Sequence, residues 1–171
     1  MSEVLKTARL TLRQPQPRDM AAVTEFFRSD RAQYVGGPYS DGNAWRQFAA
    51  ELGHWQIQGY GMRAVTLHGD DTILGLVGPW YPGHWPEREL GWMMFSGSEG
   101  QGFAYEAALA TRVHAYEVLG WDTAVSYIDH ENAASIGLAE KLGAVLDPAA
   151  TPPAYDEPCL VYRHPAPKVR A

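Results

Sequence analysis

The sequence predicts a mixed α/β domain, a central mixed and mostly antiparallel sheet flanked by helices, and three observations predict it. Segments with strand alternation and segments with helical spacing follow one another in the order β, α, α, β, β, β, α, β, α, β, β. The middle strands are joined through short turns, which calls for antiparallel pairing. The later ones are joined through helices, which calls for a crossover step. At 171 residues, with 46% hydrophobic and 20% charged residues, the chain has the size and composition of one folded domain over 1–171. Its core is expected over about 7–163, with 164–171 as a short frayed tail.

Residues 5–13 read as the first strand, with Leu10 and Leu12 on one side and Arg9, Thr11 and Arg13 on the other. Pro15 and Pro17 end it. Asp19 then caps a helix that carries Met20, Val23, Phe26 and Phe27 and closes near Ser29 and Asp30. Residues 33–40 contain Gly36, Gly37 and Pro38 and form a loop. Ser40 or Asp41 caps a second helix, in which Trp45, Phe48, Ala49 and Leu52 share a face before Gly53. Strands are expected at 62–68 and 72–77 around the turn His68-Gly69-Asp70-Asp71, and again at 89–95. Between them, 78–86 is too rich in Gly, Pro and aromatic residues for regular structure. A helix follows Gly102, with Leu109, Val113 and Tyr116 at i, i+4 and i+7 and Gly120 in place for a left-handed cap. A strand over 121–129 comes next. Asn132 caps a short helix that buries Ile136, Ala139 and Leu142 and stops at Gly143. Val145-Leu146 and 159–163 supply two closing strands, joined by a Pro-rich loop over 148–158.

The bulk composition excludes several function classes. A net charge of −6 argues against a nucleic-acid binder and suits a cationic substrate, though solubility alone also accounts for it. With Cys159 as the single cysteine, no intrachain disulfide and no CxxC motif can form, which fits a reducing cytoplasm. The six histidines show no ligand spacing, so no metal is expected. No run approaches the ~20 apolar residues of a membrane span, and the N-terminus lacks the apolar stretch of an export signal.

Gly100-Gln101-Gly102-Phe103-Ala104 is the segment with the clearest chemistry. A helix start leaves backbone N–H groups without partners and carries partial positive charge, and small residues let an anion approach it. A tight turn into a helix is the plain alternative. Two further segments stand at fitting distances, Glu89-Leu90-Gly91-Trp92 upstream and Asn132-Ala133-Ala134-Ser135 with Leu142-Gly143 downstream. Together with Arg9-Leu10-Thr11-Leu12-Arg13 and Asp19, they resemble the GNAT acetyltransferase superfamily, most closely the branch with the ribosomal-protein N-terminal acetyltransferases. The resemblance spans roughly 7–163.

It implies a sheet splayed between its fourth and fifth strands, here 89–95 and 125–129, with acetyl-CoA as acyl-donor cosubstrate in the V. Pantetheine would pair with the backbone of Trp92, Met93 and Met94. The pyrophosphate would sit on the amides of Gln101, Gly102, Phe103 and Ala104, and Asn132 and Ser135 would contact the cofactor. Two positions depart from the family pattern. Glu99 stands where many members carry Arg or Gln, and is expected to point away from the phosphates. Ala139 stands where many carry a tyrosine acid.

Acyl transfer needs a neutral amine, while a lysine side chain titrates near ~10.4 and an α-amine near ~8, so some group must accept a proton. Glu89 is the first candidate for base, with Asp129, Tyr127 or a water relay as alternatives and a solvated strand end as the plain reading. Ser135 is the candidate acid for the departing thiolate, against an ordinary first-turn serine. A backbone N–H around 92–94 would stabilise the oxyanion. Glu106 is assigned to the helix dipole.

Trp80, His84 and Trp85, in an aromatic loop, could grip a cationic or apolar acceptor, or pack over the sheet edge. Tyr34, Tyr39 and Trp45 could join either role. The acceptor is open between a protein N-terminus and a small-molecule amine, and the exposed aromatics fit a homodimer. A catalytically silent acyl-CoA-binding module is the rival from another class.

Overall fold

Strands and helices pack into one sheet covered on both faces, in a computed structural model that describes residues 4–154 and 158–167. Leu5–Lys6 (β1) and Leu10–Arg13 (β2) form an antiparallel pair, Leu5 opposite Leu12. The first strand expected over 5–13 is thus two strands. The chain reverses at Thr7, whose hydroxyl accepts the Leu10 N–H at 3.0 Å.

Helix α1 is Met20–Arg28 and buries Val23, Phe26 and Phe27. Asp19 precedes it without capping it. Its carboxylate instead takes a two-pronged hydrogen bond from Arg13 at 2.7 and 2.8 Å, tying β2 to the helix entrance. Helix α2 is Asp41–Gln58, capped by Ser40, whose hydroxyl accepts the Asn43 N–H at 3.3 Å. It passes through Gly53 and stops at Gly59, which takes a left-handed φ of 76°. A mid-helix glycine costs about 1 kcal/mol, and burial of Trp55, one half-turn further on, outweighs it.

Arg63–Leu67 (β3), Gly75–Trp80 (β4) and Glu89–Met94 (β5) continue the sheet antiparallel. β4 starts later than expected and runs through Gly78 and Pro79 to Trp80. Proline is tolerated there because pairing to β3 ends at Val77, which frees that edge of β4.

Helix α3 is Phe103–Glu117, followed by β6 (Val125–Asp129), α4 (Ala133–Lys141), β7 (Val145–Leu146) and β8 (Cys159–Arg163). α3 buries Phe103, Ala107, Ala108, Thr111, His114 and Ala115, while Val113 is exposed. The buried face is therefore the small-residue one, which lets the helix lie close to the sheet; of the expected Leu109-Val113-Tyr116 face, Leu109 and Tyr116 are half-buried against the core and Val113 is turned outward. Gly120 is left-handed, and the Trp121 N–H closes on the Ala115 carbonyl at 3.0 Å, as a cap requires.

The strand order is β1-β2-β3-β4-β5-β6-β8-β7, antiparallel throughout except between β5 and β6. His164 follows β8 and is buried, and the Pro165 carbonyl accepts from the Tyr116 hydroxyl at 2.9 Å, so the ordered core continues past the expected end at 163. Part of the expected tail, 168–171, and 155–157 of the Pro-rich loop lie outside the described residues. Among the described residues, no helix is long and apolar enough to cross a membrane.

Candidate active site

β5 and β6 are held together at one backbone position, Glu89 opposite Val125, where the Val125 N–H reaches the Arg88 carbonyl at 3.0 Å. Beyond it the sheet opens. The Ser126 hydroxyl donates to the Leu90 carbonyl at 2.6 Å, and His164 Nε2 lies 2.9 Å from the Ser126 oxygen. With its proton committed to Leu90, Ser126 accepts from His164, so the imidazole carries its hydrogen on Nε2. Its Nδ1 then accepts from Arg112 at 3.2 Å. Burial and the neighbouring guanidinium push the His164 pKa down to about 3, in keeping with a neutral ring. A side-chain bridge thus stands where the next rung of a ladder would be.

The carbonyls of Arg88 and Leu90 face β6, so strand alternation directs the backbone N–H and C=O of Trp92 and Met94 to the same side. There β6 has diverged and offers them no partner strand. The amide of Met93 faces β4 instead, leaving Trp92, of the three expected residues, with its backbone edge open to an added strand, while the Met94 carbonyl on that side is taken by Arg31.

A cavity of about 910 Å³ fills the opening and reaches from β5 and β6 to α2. It brings together Glu89, Trp92 and Met93 of β5, Tyr127 and Asp129 of β6, and Asn132 and Ser135 at the start of α4. Tyr34, Tyr39, Trp80, His84 and Trp85 line it as well. Trp45 does not, lying 57% exposed on the outer face of α2. Met94 and residues 101–104 also lie outside this cavity.

Asn132 Oδ1 accepts the Ser135 N–H at 3.1 Å, so Asn132 caps α4 as expected. The Trp92 indole donates to Ser135 Oγ at 3.1 Å, which leaves the hydroxyl proton free to be given elsewhere. Ala139, one turn further along α4, is fully buried.

Glu89 Oε2 accepts the Trp85 indole N–H at 2.6 Å, and its carboxyl also takes a backbone hydrogen bond from Tyr127. Both favour the carboxylate, yet desolvation outweighs them and pushes its pKa up to about 7. The Tyr127 hydroxyl accepts the Glu87 N–H at 3.1 Å, and desolvation raises its pKa to about 12, which fits it poorly for taking a proton.

At the glycine turn, Gly100 and Gly102 take left-handed φ values of 71° and 77°, a conformation that side chains disfavour. Phe103 is core, packed with Leu10 and Leu12, so this residue offers an anion its amide alone. Arg9 lies across the turn, donating to the Gln101 carbonyl at 3.0 Å and stacking 4.7 Å over the Phe103 ring. Its guanidinium, ion-paired with Glu106 at 2.7 Å, lies beside a helix N-terminus that would hold a pyrophosphate. Glu99 is ion-paired with Arg31, which also donates to the Met94 carbonyl at 2.9 Å. Its charge is thereby engaged by a cation. Turn, cation and open strand edge together fit an acyl-CoA.

Glu106 does more than complement the helix dipole. It accepts from the Thr7 hydroxyl at 2.6 Å and from the Arg9 amide and guanidinium at 2.9 and 2.7 Å, tying the first two strands to α3.

Several cavity residues escaped the sequence reading. Glu51 and His54 come from α2 and Cys159 from β8. His54 accepts the Tyr81 N–H on Nε2 at 2.8 Å, so its Nδ1–H donates to the Tyr60 carbonyl at 2.7 Å and the ring is a neutral strut stacked on Trp80. The Cys159 thiol is pushed up to about 11, chiefly by burial, and stays protonated. The signal for Glu51 was its register, i+3 from Phe48 and i−4 from Trp55, on the apolar face of α2. Among the described residues, no group of three or more His, Cys, Asp or Glu is placed to hold a metal ion.

Comparison with known proteins identifies the family. The family model for the acetyltransferase (GNAT) domain matches residues 9–145. The crystal structure of an acetyltransferase from Agrobacterium tumefaciens shares 39% identity, with 96% of this chain and 95% of that one covered at a TM-score of 0.89. A GNAT-family acetyltransferase from Bacillus anthracis shares 23% over 95% and 96% at 0.73. The ribosomal L7/L12 α-N-protein acetyltransferase RimL in complex with coenzyme A shares 16% over 95% and 96% at 0.72, and shows likeness of fold. With the family model covering most of its length, the chain belongs to the GNAT acetyltransferase family and is an N-acetyltransferase.

Proposed function

We propose that this N-acetyltransferase, acting as a single domain in the cytoplasm, uses acetyl-CoA as donor and a primary amine as acceptor, a protein N-terminus or a small molecule. The amine attacks the thioester directly in a ternary complex. The observation that carries this reading is the opening between β5 and β6. Across it the exposed backbone edge of Trp92, the Ser135 hydroxyl and the Glu89 carboxyl converge on one cavity.

Acetyl-CoA supplies an acetyl group activated as a thioester. The amides of 101–104 with Arg9 hold the donor's phosphates, and the edge of β5 holds the pantetheine arm as an added strand. Glu89, whose pKa of about 7 sits close to neutrality, takes the proton that the ammonium must lose. The Trp92 N–H faces the charge that develops on the carbonyl oxygen. Ser135, held by Trp92, gives its proton toward the departing sulfur, the role that a tyrosine at the position of Ala139 would otherwise fill.

A panel of amines and N-terminal peptides, incubated with protein and acetyl-CoA, tests the reading by thiol release and by mass spectrometry of products. Products heavier than an amine by one acetyl group in place of a hydrogen support it. Tight CoA binding without turnover on any amine would instead identify a silent acyl-CoA-binding module.

A further inference from the structure

Glu51 is a carboxyl that the reaction above does not use. It projects from α2 into the cavity, is 4% exposed, and its Oε2 makes no hydrogen bond among the described residues. A buried acceptor atom without a donor is costly, and a buried carboxylate without a cation more so. The fold could have relieved that cost with a basic side chain, and it does not.

Among the described residues, the lining includes three carboxyls, Glu51, Glu89 and Asp129, and neither lysine nor arginine. His54 is fixed as a neutral strut by its two hydrogen bonds, so it supplies no charge to Glu51. The same cavity is lined by Tyr34, Tyr39, Trp80 and Trp85, rings of the kind that pack against methylenes and ammonium groups. The cavity is thus built for a cation. One ammonium answers Glu89, where the amine must lose its proton. The free oxygen of Glu51 asks for a second donor.

We propose that Glu51 is a specificity-determining residue that binds a second N–H-bearing cationic group of the acceptor, which makes the preferred substrates compact diamines. The inference rests on the acetyl-transfer reading of the same cavity and adds the class of acceptor to it. Burial and the charge of Glu89 raise the pKa of Glu51 to about 8, so an incoming ammonium would ionise it and release a proton on binding.

The test compares α,ω-diamines with monoamines of the same chain length as acceptors for the wild-type enzyme, together with an N-terminal peptide lacking lysine. The best diamine should exceed its monoamine in kcat/KM by about tenfold or more, the worth of a charge-assisted hydrogen bond. In Glu51→Gln that ratio should fall toward one. Diamine alone, without donor, should raise the melting temperature of the wild type and lose that effect in the variant.

Equal kcat/KM for diamines and monoamines would overturn the role of Glu51 while leaving acetyl transfer intact. So would a peptide acetylated faster than every diamine. Failure to acetylate any amine would strike the underlying reading instead, and diamine-dependent stabilisation would still report on Glu51 independently. Because the decisive ratio is read on the wild type, a misfolded variant leaves the proposal open to refutation.

Discussion

The indole N–H of Trp92 donates to the hydroxyl oxygen of Ser135 at 3.1 Å, joining β5 to the first turn of α4 across the mouth of the open sheet. The bond fixes the serine oxygen and leaves its proton unspent. Ser135→Ala should therefore lower kcat by about tenfold or more while changing the CoA dissociation constant by less than about twofold. Initial rates by thiol release and direct titration with CoA check both. Unchanged kcat would remove Ser135 from proton transfer and leave it as a helix residue bound to Trp92.

Glu89 sets a pH dependence. Burial lifts its pKa to about 7 against the hydrogen bonds from Trp85 and Tyr127, and a base works only in its unprotonated form. Below pH 7 the acid form predominates, so kcat/KM should rise roughly tenfold per unit of pH there and level off above. Glu89→Gln should lose that limb and about two orders of magnitude in rate. A profile of the same shape in the variant would assign the base to another group, such as Asp129 or water.

Gly102 separates strain from charge. At a φ of 77°, any side chain there costs roughly 1–2 kcal/mol of stability, so Gly102→Ala and Gly102→Glu should share a lowered melting temperature. A Cβ at this position would lie 3.5 Å from Arg9 Nη2, beside the proposed phosphate site. The glutamate should accordingly weaken CoA binding by about tenfold or more beyond the alanine. Equal CoA affinity of the two variants, measured by calorimetry, would move the phosphates elsewhere.

What the sequence made legible follows from range. Gly120 was expected to be a left-handed cap and is one, and Gly100, Gly102 and Gly143, read as turn and helix-stop residues, are left-handed too, because a glycine's backbone preference is local. Asn132 likewise capped the helix it introduced. Misreadings arose where a distant partner decided the matter. Asp19 abandons its helix for Arg13, Gly53 is overruled by the burial of Trp55, and Val113 yields the sheet-facing side of α3 to Ala107 and Ala108. The cavity showed the same division. Glu89, Trp92 and Ser135 stood in recognisable segments, whereas Glu51 acquires meaning only when α2 is laid over β5.

Glu51 should also be visible in stability. Its pKa is raised from an ordinary 4.5 to about 8 in the folded protein, so between those values the native state holds a proton that the unfolded chain has released. The favourable contribution is complete below pH 4.5, declines as pH rises toward 8, and is lost above it. Glu51→Gln cannot ionise and escapes this decline. Between pH 5 and pH 8 its melting temperature should gain on the wild type by at least about 3 °C, the equivalent of about 1 kcal/mol in a chain of this size. The gain should shrink when a diamine is present, because the wild type then has a cation to pair with its carboxylate. A difference in melting temperature that stays constant from pH 5 to pH 8 would mean that Glu51 is already ionised and paired in the free enzyme. The orphaned oxygen would then no longer argue for a second ammonium.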